Sequence, residues 1–527
     1  MFSTIDVTVH PPRVDIPREY NAATDIVERH LGTEREDHVA LIDADGAWTY
    51  AELAERVNRA GNALLDLGVR MENRVAMCLL DSVDFPAVFL GAIKAGAVPV
   101  PLNTLLTAAD YDYMLRDSRA HTLVVSAELF PTFAPILRGQ PWLRYVVVAG
   151  DGAGEEVPRL ADLLDEAEAE LEPAPTTSDD VAFWLYTSGT TGSPKGAMHL
   201  HRHLVHTVAG YGLAVLGVAP DDVVFSAAKL FFAYGLGNAL TIPLYVGATA
   251  VLHPGRPTPD AVMRVLRERQ PTLFFGVPTL YGNVLADPAN DRAAGSPRLR
   301  CCISAGEPLP VGVARAWEER FGIAPLDGIG TTEMLHVFLT NRPGEHRYGT
   351  TGREAVPGYE VRLVGDDGEP VAEGEIGELC VRGTTAAVAY WNQREKSLAS
   401  FHGPWTRTGD KYRRDEDGYF VCAGRTDDML KVGGIWVSPF EVEGALIEHD
   451  AVLEAAVVGE KDERDLVKPK AFVVLVDPVR ASSALAEELK EFVKERLAPY
   501  KYPRWIEFTG ELPKTATGKI KRFQLRT

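Results

Sequence analysis

The sequence predicts a multidomain α/β protein, and three observations carry that prediction. Short apolar runs recur, helix-spaced patterns lie between them, and 527 residues exceed what one ordinary core accommodates. The apolar runs are at 74–79, 122–126, 145–148, 272–275 and 299–304. About five residues of unbroken apolarity fit a strand covered on both faces. Leu53, Val57, Ala60, Leu64 and Leu67 fall three or four apart and predict an amphipathic helix over 50–67. Strands alternating with helices of this kind imply parallel sheets.

The remaining segments follow in order. Residues 150–180 are acidic and rich in Glu, Ala, Pro and Thr, which reads as a solvated connection leading into a strand at 181–186. From 358 to 382 the texture becomes β-like, punctuated by Gly365-Asp366-Asp367-Gly368, and predicts a small β-rich subdomain. After Arg425-Thr426-Asp427-Asp428 come short strands and helices with many lysines. These mark a small terminal domain starting near Asp427, so that the chain divides into 1–426 and 427–527.

A net charge of −20 argues against nucleic-acid or anionic-membrane partners, which require a basic face. Any anionic substrate is then met by locally placed cations. The start of the chain lacks a basic stretch followed by an apolar core, so a cytoplasmic protein is expected. The apolar run at 92–102, interrupted by Lys94, is short of the ~20 residues that span a bilayer. Five cysteines, Cys78, Cys301, Cys302, Cys380 and Cys422, form no CxxC pair, and neither zinc nor a disulfide framework is expected.

The chemistry concentrates in a few motifs. Thr187-Ser188-Gly189-Thr190-Thr191-Gly192-Ser193-Pro194-Lys195-Gly196 supplies glycines, hydroxyls and one lysine, the parts of a polyphosphate cradle. It fails the Walker pattern, since Pro194 and Gly196 flank the lysine. By composition alone the stretch also reads as a plain polar loop. Its setting, after a strand and before the helical pattern Leu204, Val208, Tyr211 and Val215, predicts strand, phosphate loop and helix in succession. Further along stand Ser304-Ala305-Gly306-Glu307-Pro308, Asp327-Gly328-Ile329-Gly330-Thr331-Thr332-Glu333, Arg407-Thr408-Gly409-Asp410 and Gly424-Arg425-Thr426-Asp427. Near the end come Gly433-Gly434-Ile435-Trp436 and Pro513-Lys514-Thr515-Ala516-Thr517-Gly518-Lys519. Each alone is an ordinary turn or tail; their order and spacing carry the inference.

Taken together these motifs resemble those of the acyl-adenylate-forming superfamily, the acyl-CoA synthetases and their relatives, from Trp48 to Lys519. The resemblance implies a large N-terminal domain of two α/β subdomains plus a β-rich one, joined to a small mobile C-terminal α+β domain. It implies ATP, Mg2+ and coenzyme A as ligands. Thr187, Ser188, Gly189, Thr190, Thr191, Gly192 and Lys195 would hold the phosphates. Ala305, Gly306, Glu307, Asp327, Gly328, Ile329 and Thr332 would surround the adenine and the carboxylate being activated. Glu333 would engage magnesium, a hard cation suited to oxygen ligands. Ile329 stands where the family more often has an aromatic against adenine. Asp410 would accept from the ribose hydroxyls, Arg425 would add a nucleotide contact, and Asp427 would be the hinge. Gly433, Gly434 and Trp436 would line the coenzyme A channel, with Trp436 replacing a more usual polar residue. Lys519 would place positive charge on the anionic transition state of adenylation.

The acid-binding segment of the family corresponds to 228–238 here. Phe232, Ala233 and Tyr234 offer two aromatic walls and a small floor, suited to a flat ring. With Gly306, Gly330, Leu335 and His336 this segment resembles the benzoate-CoA ligase branch, which implies an aryl carboxylate substrate, a place in aromatic acid degradation, and a monomer or homodimer. A related aryl or medium-chain acid ligase, or an enzyme loading a carrier protein, shares the nucleotide motifs. His199, His201, His203 and His206 lack a completing cysteine or carboxylate, and no metal is expected there.

Overall fold

The helix Tyr50–Asp66 begins at a capping box: the Glu52 backbone N–H donates to the Thr49 hydroxyl, and the Thr49 N–H donates to the Glu52 carboxylate. Its buried face, Leu53, Val57, Ala60 and Leu64, is the one the spacing predicts. That face lies against the helix Asp84–Lys94, which is buried nearly all round. The two helices meet so closely that a Cβ on Gly91 would fall 2.7 Å from the Val57 carbonyl oxygen. Gly91→Ala is therefore expected to destabilise the protein by about 1–3 kcal/mol, because backbone atoms must shift. Denaturant unfolding checks this; an unchanged midpoint would show that the helices separate freely.

The computed structural model describes residues 2–151, 156–187, 193–426, 428–432, 435–463, 466–498, 500–514 and 520–526, with the backbone alone at 431, 435 and 436. Two sheets bear out the parallel expectation. One has four parallel strands in the order Val98–Pro101, Arg74–Cys78, Thr122–Ser126, Tyr145–Ala149. The other has eight, in the order Val337–Thr340, Pro325–Gly330, Cys301–Ala305, Leu273–Gly276, Val223–Ser226, Thr249–Val251, Val39–Ile42, Ala47–Thr49. It is parallel through its centre and antiparallel at both margins. The β-rich part extends beyond the predicted 358–382. Tyr359–Val364, Gly377–Gly383, Trp405–Arg414, Phe401–His402 and Phe420–Arg425 form one antiparallel sheet. Further on, Val452–Lys461, Val467–Leu475 and Trp505–Phe508 form a three-stranded sheet. Helices Pro439–Ile447 and Ser483–Lys494 contribute to the hydrophobic cluster against it, which runs from Leu430 to Val493 and is separate from the main core.

One local expectation is corrected. The strand Val181–Thr187 does not lead through the phosphate loop into a helix; it returns as a second strand, Lys195–Leu200, in antiparallel register with Thr187 opposite Lys195. Helix His201–Thr207 starts only afterwards. The alternation was concealed because His199 reads as polar. In the fold it is buried, stacks on Phe183 at 5.3 Å between ring centroids, and donates from Nε2 to the Thr332 carbonyl at 2.8 Å. The stretch between Thr187 and Lys195 thus links two paired strands rather than a strand and a helix.

Burial drives the pKa of His199, His201, His206 and His336 down to about 4, and that of His203 well below its usual value. Each is neutral when folded and takes a proton near 6.5 when unfolded. Stability from these five is complete above pH 6.5 and is lost as pH falls towards 4, because the unfolded chain binds the extra protons. Asp81, Asp117 and Asp327, raised by burial, pull the other way. The expected net outcome is a falling thermal midpoint from pH 7 to pH 5; a flat or rising midpoint would show that the carboxylates dominate.

Candidate active site

The segments that follow three parallel strands of the eight-stranded sheet carry Phe232 to Tyr234, Gly306 and Glu307, and Thr332 to His336; in α/β sheets ligands gather outside these carboxyl ends. Strand register places Ser304 beside Asp327 and Ala305 beside Gly328. Gly306 and Gly330, just past or at those ends, are exposed, whereas Asp327 is buried. Burial raises the Asp327 carboxyl well above the usual range, although backbone N–H groups of Leu309 and Gly328 oppose the shift.

Glu333 lies in the turn Thr332–Met334, capped by the Thr331 hydroxyl, which accepts from the Met334 N–H at 3.2 Å. The Glu333 carboxylate accepts from the Tyr390 hydroxyl at 2.6 Å, and its carbonyl accepts from the Ala387 N–H at 2.7 Å. Lys195 sits over the Tyr390 ring, with Nζ 4.2 Å from the centroid. Burial lowers the Lys195 pKa, the Glu333 charge opposes this, and Lys396 and Arg425 add to the lowering. The lysine of the phosphate loop, the expected magnesium ligand and the expected nucleotide arginine thus act on one another. Tyr390, which joins them, was not among the predicted residues. Nothing in Ala389-Tyr390-Trp391 distinguishes it from a core aromatic.

The sheet also explains Asp410 and Arg425. They are opposite one another on Trp405–Arg414 and Phe420–Arg425, and Arg425 Nη1 donates to Asp410 Oδ1 at 3.2 Å. The carboxylate and the cation expected at the nucleotide therefore stand side by side.

The aryl segment and the Glu333 turn pack against each other through His336. Its Nε2 meets Asn238 Oδ1 at 3.1 Å, and its ring lies 5.9 Å from that of Tyr234 and 5.1 Å from that of Tyr211. Tyr211 and Asn238 occupy widened π-helical turns, Val208–Leu213 and Gly237–Thr241, a departure from 3.6-residue spacing that hydrophobic periodicity does not reveal. Phe232 touches Phe231 at 4.4 Å between centroids, and Ala233 opens a four-residue helical turn. Leu335 is buried with φ 67° and ψ −38°, and the His336 N–H donates to the Met334 carbonyl at 2.8 Å, which makes a γ-turn of the rare, strained kind. The Thr385 hydroxyl holds that same carbonyl at 2.7 Å. Gly330 serves close backbone approach, since a Cβ there would fall 2.5 Å from the His336 carbonyl oxygen. Asn238 Nδ2, His336 Nδ1, Ser304 Oγ and the Tyr211 hydroxyl are buried without a hydrogen-bond partner among the described residues.

Ser188, Gly189, Thr190, Thr191, Gly192, Asp427, Gly433, Gly434 and Lys519, and the side chain of Trp436, lie outside the described residues. The chain beside Lys519 is described: the Ile520 N–H donates to Glu307 Oε1 at 3.0 Å, so the terminal segment reaches the loop expected at the adenine.

The family model for AMP-binding enzymes matches residues 27–391, and that for the AMP-binding enzyme C-terminal domain matches 441–519. The chain belongs to this family, the adenylate-forming acyl-CoA synthetases. It is 57% identical over 529 residues to a benzoate–CoA ligase of Thauera aromatica, covering 99% of each chain. It is 51% identical to a 4-hydroxybenzoate–CoA/benzoate–CoA ligase of Rhodopseudomonas palustris, covering 97% of this chain and 94% of that one. A crystal structure of a benzoate CoA ligase from Burkholderia xenovorans superposes with a TM-score of 0.90 at 50% identity, covering 96% and 100% of the two chains.

Magnesium fits the donor set. Glu333 offers one partly exposed carboxylate, joined through Tyr390 to Lys195, and among the described residues no group of three or more His, Cys, Asp or Glu forms a protein cage. One carboxylate completed by nucleotide phosphates is the usual magnesium arrangement. Among the described residues no helix is long and apolar enough to cross a membrane.

Proposed function

We propose that this protein joins benzoate, or a closely similar aryl carboxylate, to coenzyme A through an acyl-adenylate, releasing AMP and pyrophosphate. The packing of the aromatic segment 232–238 against the Glu333 turn through neutral His336 carries this reading, because it sets an uncharged, ring-lined surface beside the carboxylate-activating turn. The full-length similarity to benzoate–CoA ligases supports it.

In the first half-reaction a carboxylate oxygen attacks the α-phosphorus; the new O–P bond forms as the bond to the pyrophosphate oxygen breaks. Thr187 to Lys195 hold the departing phosphates, Asp410 and Arg425 the ribose, and Lys519 stabilises the charge on the transferring phosphorus. Magnesium bound at Glu333 would neutralise phosphate charge. The C-terminal domain, 427–527, then turns about Asp427, withdrawing Lys519 and bringing Gly433, Gly434 and Trp436 to the thiol's path. The thiol, giving up its proton, forms a C–S bond as the C–O bond to AMP breaks. Lysine and thiol need the same face at different times, and rotation separates them. We place the enzyme in the cytoplasm, as a monomer or homodimer.

Steady-state turnover across benzoate, its fluoro, amino and hydroxy derivatives, 2-furoate and medium-chain fatty acids tests the substrate, with free coenzyme A compared against a carrier protein. Benzoate and free coenzyme A are expected to give the highest kcat/KM. A fatty acid far ahead of benzoate, or a carrier ahead of coenzyme A, would overturn the reading.

A further inference from the structure

The described residues that flank the expected catalytic lysine, Lys514 before it and Ile520 to Arg522 after it, are tied to the rest of the fold. The Lys521 N–H donates to the Pro513 carbonyl at 2.7 Å, and Lys514 and Ile520 are bridged as antiparallel neighbours. Arg522, three residues past Lys519, is buried; its Nε and Nη2 donate to Glu443 Oε1, and Nη2 also to Oε2, at 2.8–3.1 Å. Glu443 in turn accepts from the Val457 N–H at 2.7 Å, which ties the pair to the three-stranded sheet. These bonds lie within the C-terminal domain and travel with it.

The remaining bond does not. Glu307 follows the strand Cys301–Ala305 of the large sheet, and its carboxylate accepts the N–H of the peptide linking Lys519 to Ile520, at 3.0 Å. The same carboxylate acts on the Arg522 charge. We propose that Glu307 is a positioning residue, a latch on the large domain that holds the lysine segment in place for adenylation and releases it before thiol attack. This role differs from lining the adenine and rests on the two-step reading above. The charge-assisted bond goes to the Ile520 N–H, the described residue next to the expected catalytic lysine, whereas a carboxylate paired with an ammonium would weaken that cation's action on the phosphorus. The inherited expectation of an adenine wall predicts a changed ATP affinity; a latch predicts a changed rate at unchanged affinity.

The two half-reactions separate these roles. Benzoate-dependent exchange of pyrophosphate into ATP reads adenylation, and coenzyme A consumption with supplied benzoyl-adenylate reads thioesterification. Glu307→Ala is expected to lower the exchange kcat about tenfold or more, the worth of a charge-assisted hydrogen bond, with the KM for ATP and the thioesterification rate within about twofold of wild type. Glu307→Gln keeps an acceptor oxygen and is expected to recover most of the loss. Equal loss in both half-reactions, a loss confined to the KM for ATP, or a glutamine variant as poor as alanine would each overturn the latch. Thermal melts of both variants guard against unfolding. Absence of exchange in the wild type would instead sink the adenylation reading, so the two failures are distinguishable.

Discussion

Replacing Lys519 with alanine is expected to reduce pyrophosphate exchange by about 10²- to 10³-fold, the cost of removing one group placed on developing charge in a preorganised site. Thioesterification of supplied benzoyl-adenylate is expected to stay within about threefold, because the proposed rotation withdraws the lysine when the thiol enters. The asymmetry is the informative part. Alanine leaves Arg522 with Glu443 and the Ile520 N–H on Glu307, so the segment keeps its fastenings. Equal loss in both half-reactions of a folded variant would remove the argument for two alternating arrangements.

The second large effect is expected at Glu333. Glu333→Gln keeps the shape and an oxygen for the Tyr390 hydroxyl but removes the charge that offsets Lys195. Adenylation is expected to fall about 10²-fold, the scale for removing one group that stabilises developing charge, and the magnesium concentration for half-maximal rate is expected to rise. Exchange measured across a magnesium titration checks both. A variant with normal rate and normal magnesium requirement would move the metal away from Glu333.

Much of this site was legible because its signals are local. A helix over 50–67 and strands at 74–79, 122–126 and 145–148 follow from apolar spacing, and the structure has them within one or two residues. Motif order marked Glu333, Asp410 and Arg425 before any fold was known, and the sheet register then placed the last two opposite each other. The hairpin return at Lys195–Leu200 was not legible, since burial turns a histidine into a core residue and the sequence does not announce burial. Tyr390, Asn238, Glu443 and the bond from Ile520 to Glu307 join residues far apart in the chain, and no spacing rule reaches across such distances.

The sequence by itself determined the family: the order of the glycine-hydroxyl loop, Glu333, Asp410 and Lys519 resembles that of the adenylate-forming enzymes, to which the chain belongs. Only the tertiary structure decided how those parts are held. It set Lys195 over Tyr390, strained Leu335 so that His336 meets Asn238, and brought the peptide after Lys519 to Glu307. The physical reason is range. Residue type and period-2 or period-3.6 burial act between near neighbours along the chain, whereas hydrogen bonds and charge act through space, between groups that only folding brings together.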